Sequence, residues 1–248
     1  MADLVLFLSA HLDDVVLSCP GHVLAARAGA DVVVATLFSE GGPDHARRRA
    51  DDARACAALG ARPLHLGLRD APWRRGHPPS FRALVLDALE RDAEDFAEAR
   101  RAVAALVASL RPALVYAPLA VGEHVDHRAL FEAAPRHARF YEDQPYALAR
   151  GAIEARLGLP LDRDAYRAAL ERAPTTAAWL PPGPERTQAL DALAHLARPP
   201  SSLRVVDRLA LDAAAIAAAR AAQACYGPEL DALGVAALLP AQVEVIRA

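Results

Sequence analysis

An α/β fold built on a mostly parallel sheet, with helices on both faces, is the class this sequence predicts. Three observations carry that reading. Short apolar runs are continuous rather than alternating, the pattern of strands buried on both faces. Stretches of helical periodicity separate consecutive runs, so neighbouring strands are joined by crossovers. Gly or Pro stands at many of the boundaries, where a regular element has to stop.

Residues 4–8, Leu-Val-Leu-Phe-Leu, are the first expected strand. From Asp13 to Gly29 the pattern is helical, with Val16, Val23 and Leu24 on one side. Residues 31–37 are β-branched and apolar, which favours a second strand, and a loop follows over 39–43. A helix over 45–59 closes on Gly60, and residues 62–66 form a third strand. Residues 67–80 are irregular and hold Pro72, Gly76, Pro78 and Pro79. A loop that long in a compact domain is usually functional, so it is an expected substrate wall. An amphipathic helix over 94–110 stops at Pro112, and a fourth strand spans 113–118. A turn at 122–127, a helix to 138 and a short strand at Phe140-Tyr141 complete the alternation. Beyond Pro145, helices are expected over 163–172, 185–196 and 212–225, with a final strand over 243–246. Proline clusters at 181–184 and 199–200 separate them. With no internal repeat and no flexible linker, the chain reads as one domain, 1–248: a core over 1–146 and a helical elaboration over 147–248.

A chain of 248 residues can bury about 70% of its unfolded surface around one core, so it needs neither disulfide nor partner to fold. Homo-oligomer formation stays open. All 28 basic side chains are Arg, which, with the Ala and Pro content, reflects a GC-rich genome more than a physical demand. A net charge of -3 with mixed signs leaves no basic footprint, and nucleic acid is excluded as an expected partner. Cys19, Cys56 and Cys225 are far apart and odd in number, and read as small buried hydrophobes in a reducing compartment. Asp3 stands where a signal peptide needs positive charge, and no run approaches the ~20 apolar residues of a membrane span. A cytoplasmic protein with no membrane partner is the expectation.

Ligands of open α/β sheets bind outside the carboxyl ends of the strands. Two clusters occupy that position: His11-Leu12-Asp13-Asp14 after the first strand, and Gly122-Glu123-His124-Val125-Asp126-His127 after the fourth. Alone, the first would read as a helix cap and the second as polar helix-start residues. Together they read as a metal site. A catalytic zinc takes three nitrogen or oxygen ligands and keeps a position open. His11, Asp14 and one histidine of the second cluster would supply them. Asp13 is then left to accept a proton from water, and the remaining imidazole to stabilise an oxyanion or protonate a leaving group. His22, His45, His65, His77, His137 and His195 have no such context.

The two motifs resemble those of the PIG-L/LmbE-like de-N-acetylases, with their Ala/Pro-His-Pro-Asp-Asp turn and later His-x-Asp-His. Further stretches agree in order. Arg48-x-x-Asp51-x-x-x-Ala55-x-x-x-Leu59-Gly60 is similar to a family helix that has Glu where Asp51 stands. Leu66-Gly67-Leu68-Arg69-Asp70 is similar to a Leu-Gly-x-x-Asp stretch, and Tyr141-Glu142-Asp143-Gln144-Pro145-Tyr146 to a Tyr-Glu-Asp-x-Pro-Tyr segment. The resemblance spans residues 4–146 and thins beyond, where Cys225-Tyr226 is the one suggestive point. It implies a Rossmann-like fold, one Zn2+ per chain and removal of an N-acetyl group from an amino-sugar conjugate. It assigns His11, Asp14 and His127 as metal ligands, Asp13 as general base, His124 as oxyanion stabiliser and Asp126 as its supporting charge. Arg48 and Asp70 become candidate sugar contacts, Trp73 a candidate stacking residue, and the region after 146 the part that shapes the substrate pocket. Leu12 departs from the family's Pro and Val15 from its frequent Glu; neither position supplies a ligand.

With Asp13 ionised and His124 protonated, a bell-shaped pH profile is expected. Three other readings remain: an amidase for a non-sugar amide, a two-metal phosphoesterase, and a non-catalytic binding protein on the same fold. The spare carboxylate of Asp13 argues against the last, because a structural zinc closes its fourth position.

Overall fold

The computed structural model describes residues 3–74, 80–86, 93–198, 201–233, 235 and 243–248. Gly76, His77, Pro78, Pro79, Pro199 and Pro200 lie outside the described residues. One seven-stranded sheet organises the chain. Its strands are β1 (Asp3–Ser9), β2 (Ala30–Glu40), β3 (Arg62–Arg69), β4 (Leu114–Pro118), β5 (Arg139–Tyr141), β6 (Val205–Ala210) and β7 (Val243–Arg247). Their spatial order is β3-β2-β1-β4-β5-β7-β6. The first five run parallel; β7 is antiparallel to β5, and β6 to β7.

The continuous apolar runs are explained by burial on both faces. In β1, Leu6 and Leu8 enter one core with Val33, Ala35, Val115 and Ala117. Val5 and Phe7 enter the other with Val32, Val34 and Tyr116. Alternate side chains of a strand point to opposite faces, so the run from Leu4 to Leu8 is apolar without interruption. Phe7 stacks on Tyr116, ring centroids 4.5 Å apart.

The helices of the first half are α1 (Asp14–Ser18), α2 (Pro20–Ala26), α3 (His45–Leu59), α4 (Ala93–Leu110) and α5 (Val125–Ala133). The single helix expected from Asp13 to Gly29 is two. Pro20 disfavours helical geometry in the residue before it, and Cys19 sits at φ -146, ψ 46. The helix expected to reach residue 138 stops at Ala133, because Ala134 precedes Pro135 and is extended. Along α4, Phe96, Ala99, Val103 and Leu106 are buried at helical spacing.

The second half adds α6 (Ala152–Leu157), α7 (Arg163–Arg172), α8 (Pro174–Trp179), α9 (Pro184–Ala194), α10 (Ala213–Gln223) and α11 (Gly227–Leu233). It is helical, as expected, but it also contributes β6 and β7 to the main sheet. Glu244 of β7 is buried and accepts hydrogen bonds from the backbone of Gly21 (2.6 Å) and His22 (2.9 Å). Its carboxylate also bonds the His22 ring at 2.6 Å. Among the described residues, no helix is long and apolar enough to cross a membrane.

The sheet's direction of growth reverses at β1, with β2 on one side and β4 on the other. The loops leaving the carboxyl ends of β1 and β4 therefore diverge and leave a crevice. Both sequence clusters border it.

Candidate active site

The turn after β1 is closed by its own side chains. Ser9 Oγ donates to the His11 carbonyl (2.7 Å), and Asp14 Oδ2 accepts from the His11 amide (2.7 Å). Asp13 occupies the capping position of α1, yet its side chain makes no cap bond. Its buried carboxylate is left for other work.

The turn after β4 is built on close backbone approach. Gly122 has φ 84, and a Cβ there would lie 2.6 Å from Tyr146 Cδ1, so only glycine fits. Glu123 is also left-handed, φ 65, a costly geometry for a side-chain-bearing residue that its surroundings must hold. Arg128 (3.7 Å), Arg156 (3.8 Å) and Arg198 surround its carboxylate. The chain so fixed delivers His124, whose Nδ1 accepts the Asp126 amide at 3.2 Å and caps α5.

The two turns converge. His11 Nδ1 and His127 Nε2 are 3.2 Å apart; Asp14 comes within 3.8 Å of the first and 3.4 Å of the second. Their outer nitrogens are already committed. His127 Nδ1–H donates to Asp143 Oδ1 at 2.6 Å, and His11 Nε2–H to Asp126 Oδ2 at 3.1 Å. The tautomers follow from these bonds, and both inner lone pairs face the same point beside a carboxylate. As two neutral imidazoles of these tautomers the pair would repel, and a cation between them, a proton or a metal ion, relieves it. Ligands of a tetrahedral zinc, with bonds near 2.1 Å, lie about 3.4 Å apart, and the observed separations bracket that value. The donor set therefore fits a zinc-sized dication, with outer carboxylates orienting both imidazoles.

A ring nitrogen of His124 also lies within 4.8 Å of those of His11 and His127. Because its Nδ1 accepts a backbone N–H, its Nε2 carries the proton, which suits a donor better than a ligand. Asp70 and Asp126 form a second group with His11. Asp126 is saturated instead: it also accepts from the Ala71 amide (3.0 Å) and pairs with Arg74 (2.7 Å). It bonds His11 through its side chain and His124 through its backbone amide, and its carboxylate charge also acts on the His124 ring.

The electrostatics match this partition. Burial opposes a charge on His11, but Asp70, Asp126 and Asp14 prevail and raise its pKa well above the ordinary value. Burial likewise opposes charge on His127, and Asp14 and Asp143 raise it. The field thus favours positive charge where the lone pairs meet. Asp13 is pushed up to about 6 by burial, with Arg48 opposing. His124 is taken down to about 3 by burial and by neighbouring His11. That direction favours a neutral imidazole near pH 7 over the protonated His124 expected from sequence.

Asp13, Asp14, Arg48, Asp70, His124 and Glu229 are among the residues lining an open cleft of about 710 Å³. Arg48 lies 3.7 Å from Asp13, 3.8 Å from Asp70 and 3.5 Å from Glu229. Trp73 is half-exposed and packs on Gly41 and Gly42, where a Cβ would meet its ring at 2.5 Å. Pro72, not Trp73, borders the cleft. Sequence reasoning gave no role to Asp143, Tyr146, Arg74, Glu229 or His45, whose Nε2 is 3.6 Å from Asp70. The 141–146 stretch was a signal for the first two; the others are brought in by folding alone.

A family model described as "PIG-L: GlcNAc-PI de-N-acetylase" matches residues 6–138. No curated protein matches the chain. Among solved structures, the chain is similar to the A40926 pseudoaglycone deacetylase Dbv21: 22% identity, TM-score 0.61, covering 98% of this chain and 95% of that one. A deacetylase–teicoplanin complex from the teicoplanin pathway gives 19% identity, TM-score 0.64 and coverage of 98% and 97%. The zinc-inhibited form of teicoplanin deacetylase Orf2 gives 18%, 0.63, and 99% and 98%. At these identities the likeness is one of fold.

Proposed function

The chain belongs to the PIG-L family of de-N-acetylases, hydrolases of N-acetylated sugar conjugates, and we propose that its reaction is carried by His11, Asp14 and His127 as ligands of one Zn2+ and Asp13 as general base. The observation that carries this is the pair of inner lone pairs, 3.2 Å apart and flanked by Asp14, with both outer nitrogens held by carboxylates. A dication in this cage supplies Lewis acidity, polarising the amide and acidifying water. Asp13 takes the proton of the attacking water; a carboxylate near 6 is well matched to a base working at neutral pH. His124 Nε2–H donates to the carbonyl oxygen as negative charge develops there. Asp13 then returns the proton to the departing nitrogen, so one residue serves as base and acid. Arg48, 3.7 Å from Asp13, balances its carboxylate charge before it takes the proton and after it gives it up and, with Asp70, offers hydrogen bonds to sugar hydroxyls. Trp73 is placed to touch only the part of a conjugate that extends past Pro72. The region after residue 146 shapes the cleft through Glu229, Ala232 and Leu233.

The test is acetate release from N-acetylglucosamine conjugates by zinc-loaded protein, with metal counted per chain. One metal and measurable release are expected. Two metals with phosphoester cleavage and no acetate would overturn the proposal.

A further inference from the structure

His124 and Tyr146 also border a second space, lined mostly by apolar side chains. His124 and Tyr146 line both spaces. The two differ in chemistry. The cleft carries Arg48, Asp70 and Glu229, whereas Leu84, Val85, Ala149, Leu170 and Leu193 make the cavity's walls. Nothing in the proposed chemistry uses those walls. An acetyl methyl at His124 leaves most of this lining, Leu84, Leu170 and Leu193 included, without a substrate group to cover it.

We propose that this cavity is an acyl-chain site, and that the protein hydrolyses N-acyl amino sugars with chains longer than acetyl. The inference rests on the deacylase reading and deepens it. The geometry fixes which end of the amide enters. Arg48 and Asp70 keep the sugar in the polar cleft, and His124 receives the carbonyl oxygen at the wall between the spaces. The carbon chain therefore leaves the carbonyl carbon towards Leu170 and Leu193, on the far side of His124 from Arg48. Water adds its oxygen to the acyl carbon, the C–N bond breaks, the nitrogen takes its proton through Asp13, and the products are an alkanoate and a free amino sugar.

The measurement is a series of N-acetyl-, N-butanoyl-, N-hexanoyl- and N-octanoyl-glucosamine. Free amine is followed with zinc-loaded protein, and binding to the Asp13→Asn protein by calorimetry. Full burial of each added methylene corresponds to about a fourfold gain, so affinity and kcat/KM rise along the series until the slot is full. Leu170→Trp fills the slot, flattening the series while N-acetyl turnover stays unchanged; Ala173→Leu, at its rim, does the same with less risk to folding. Binding that does not depend on chain length overturns the acyl site and leaves deacetylation standing. Graded binding without amine release from any member keeps the site and overturns the deacylase reading. A chain-length preference that survives in both folded variants places the chain elsewhere and also overturns the proposal.

Discussion

Asp13 heads a helix it does not cap, and its carboxylate is raised to about 6 by burial. Those two facts separate it from Asp14, whose oxygen closes the turn onto the His11 amide. Asp13→Asn is accordingly expected to lower turnover by about 10²–10⁴-fold with the metal content unchanged, read by elemental analysis beside the rate. Asp143 offers the complementary case. It touches no substrate, but it fixes His127 Nδ1 at 2.6 Å, and Asp143→Asn should weaken metal binding about 10–100-fold in a chelator competition. The proposed ligands were legible in the sequence because they lie within two short motifs. Arg74 was not, because its pairing with Asp126 joins residues 52 positions apart in sequence, through a turn no local pattern specifies.

At the scale of elements, the joint between α2 and β7 is held by one buried carboxylate. Glu244 is buried and satisfied by two backbone amides and the His22 ring. Glu244→Ala strands those donors and removes a buried charge partner, and should cost about 3 kcal/mol of stability in urea unfolding. A smaller loss, under about 1 kcal/mol, would show that the joint behaves like a surface contact. The parallel strands were readable because burial on both faces leaves them uniformly apolar. β6 was not: it pairs only with β7, most of its residues are exposed, and Asp207 and Arg208 give it the charged character of a protected edge. The split of the first helix was written in Pro20, but helical periodicity runs through the break and masks it.

For the whole molecule, the absence of Lys simplifies behaviour in alkali. Burial raises all five tyrosines, Tyr116, Tyr141, Tyr146, Tyr166 and Tyr226, and the thiols of Cys19 and Cys56. A raised folded pKa stabilises fully below the unfolded value and is lost as pH climbs above it. Thiols titrate near 8.5 and phenols near 10 in the unfolded chain, each group costing at most about 1.4 kcal/mol per pH unit. Urea midpoints should therefore hold to about pH 8 and fall steeply beyond 10, with little phenolate absorbance before unfolding. A gradual phenolate rise at pH 10 with no loss of stability would contradict this. The cavity walls escaped sequence reading for a whole-molecule reason: Leu84, Leu170 and Leu193 belong to no motif, and only folding brings them around one space.

The two chambers draw on both halves of the chain, and the two halves contribute different things. The proposed metal cage and base come from residues 11 to 127, while Tyr166, Leu170, Leu193 and Glu229 around the chambers come from the later half of the chain. A lineage could retune what it accepts by drifting in one half without disturbing the machinery in the other. Exchanging the segment after Tyr146 with that of a distant relative should accordingly transfer preference for substrate and leave metal stoichiometry as it was.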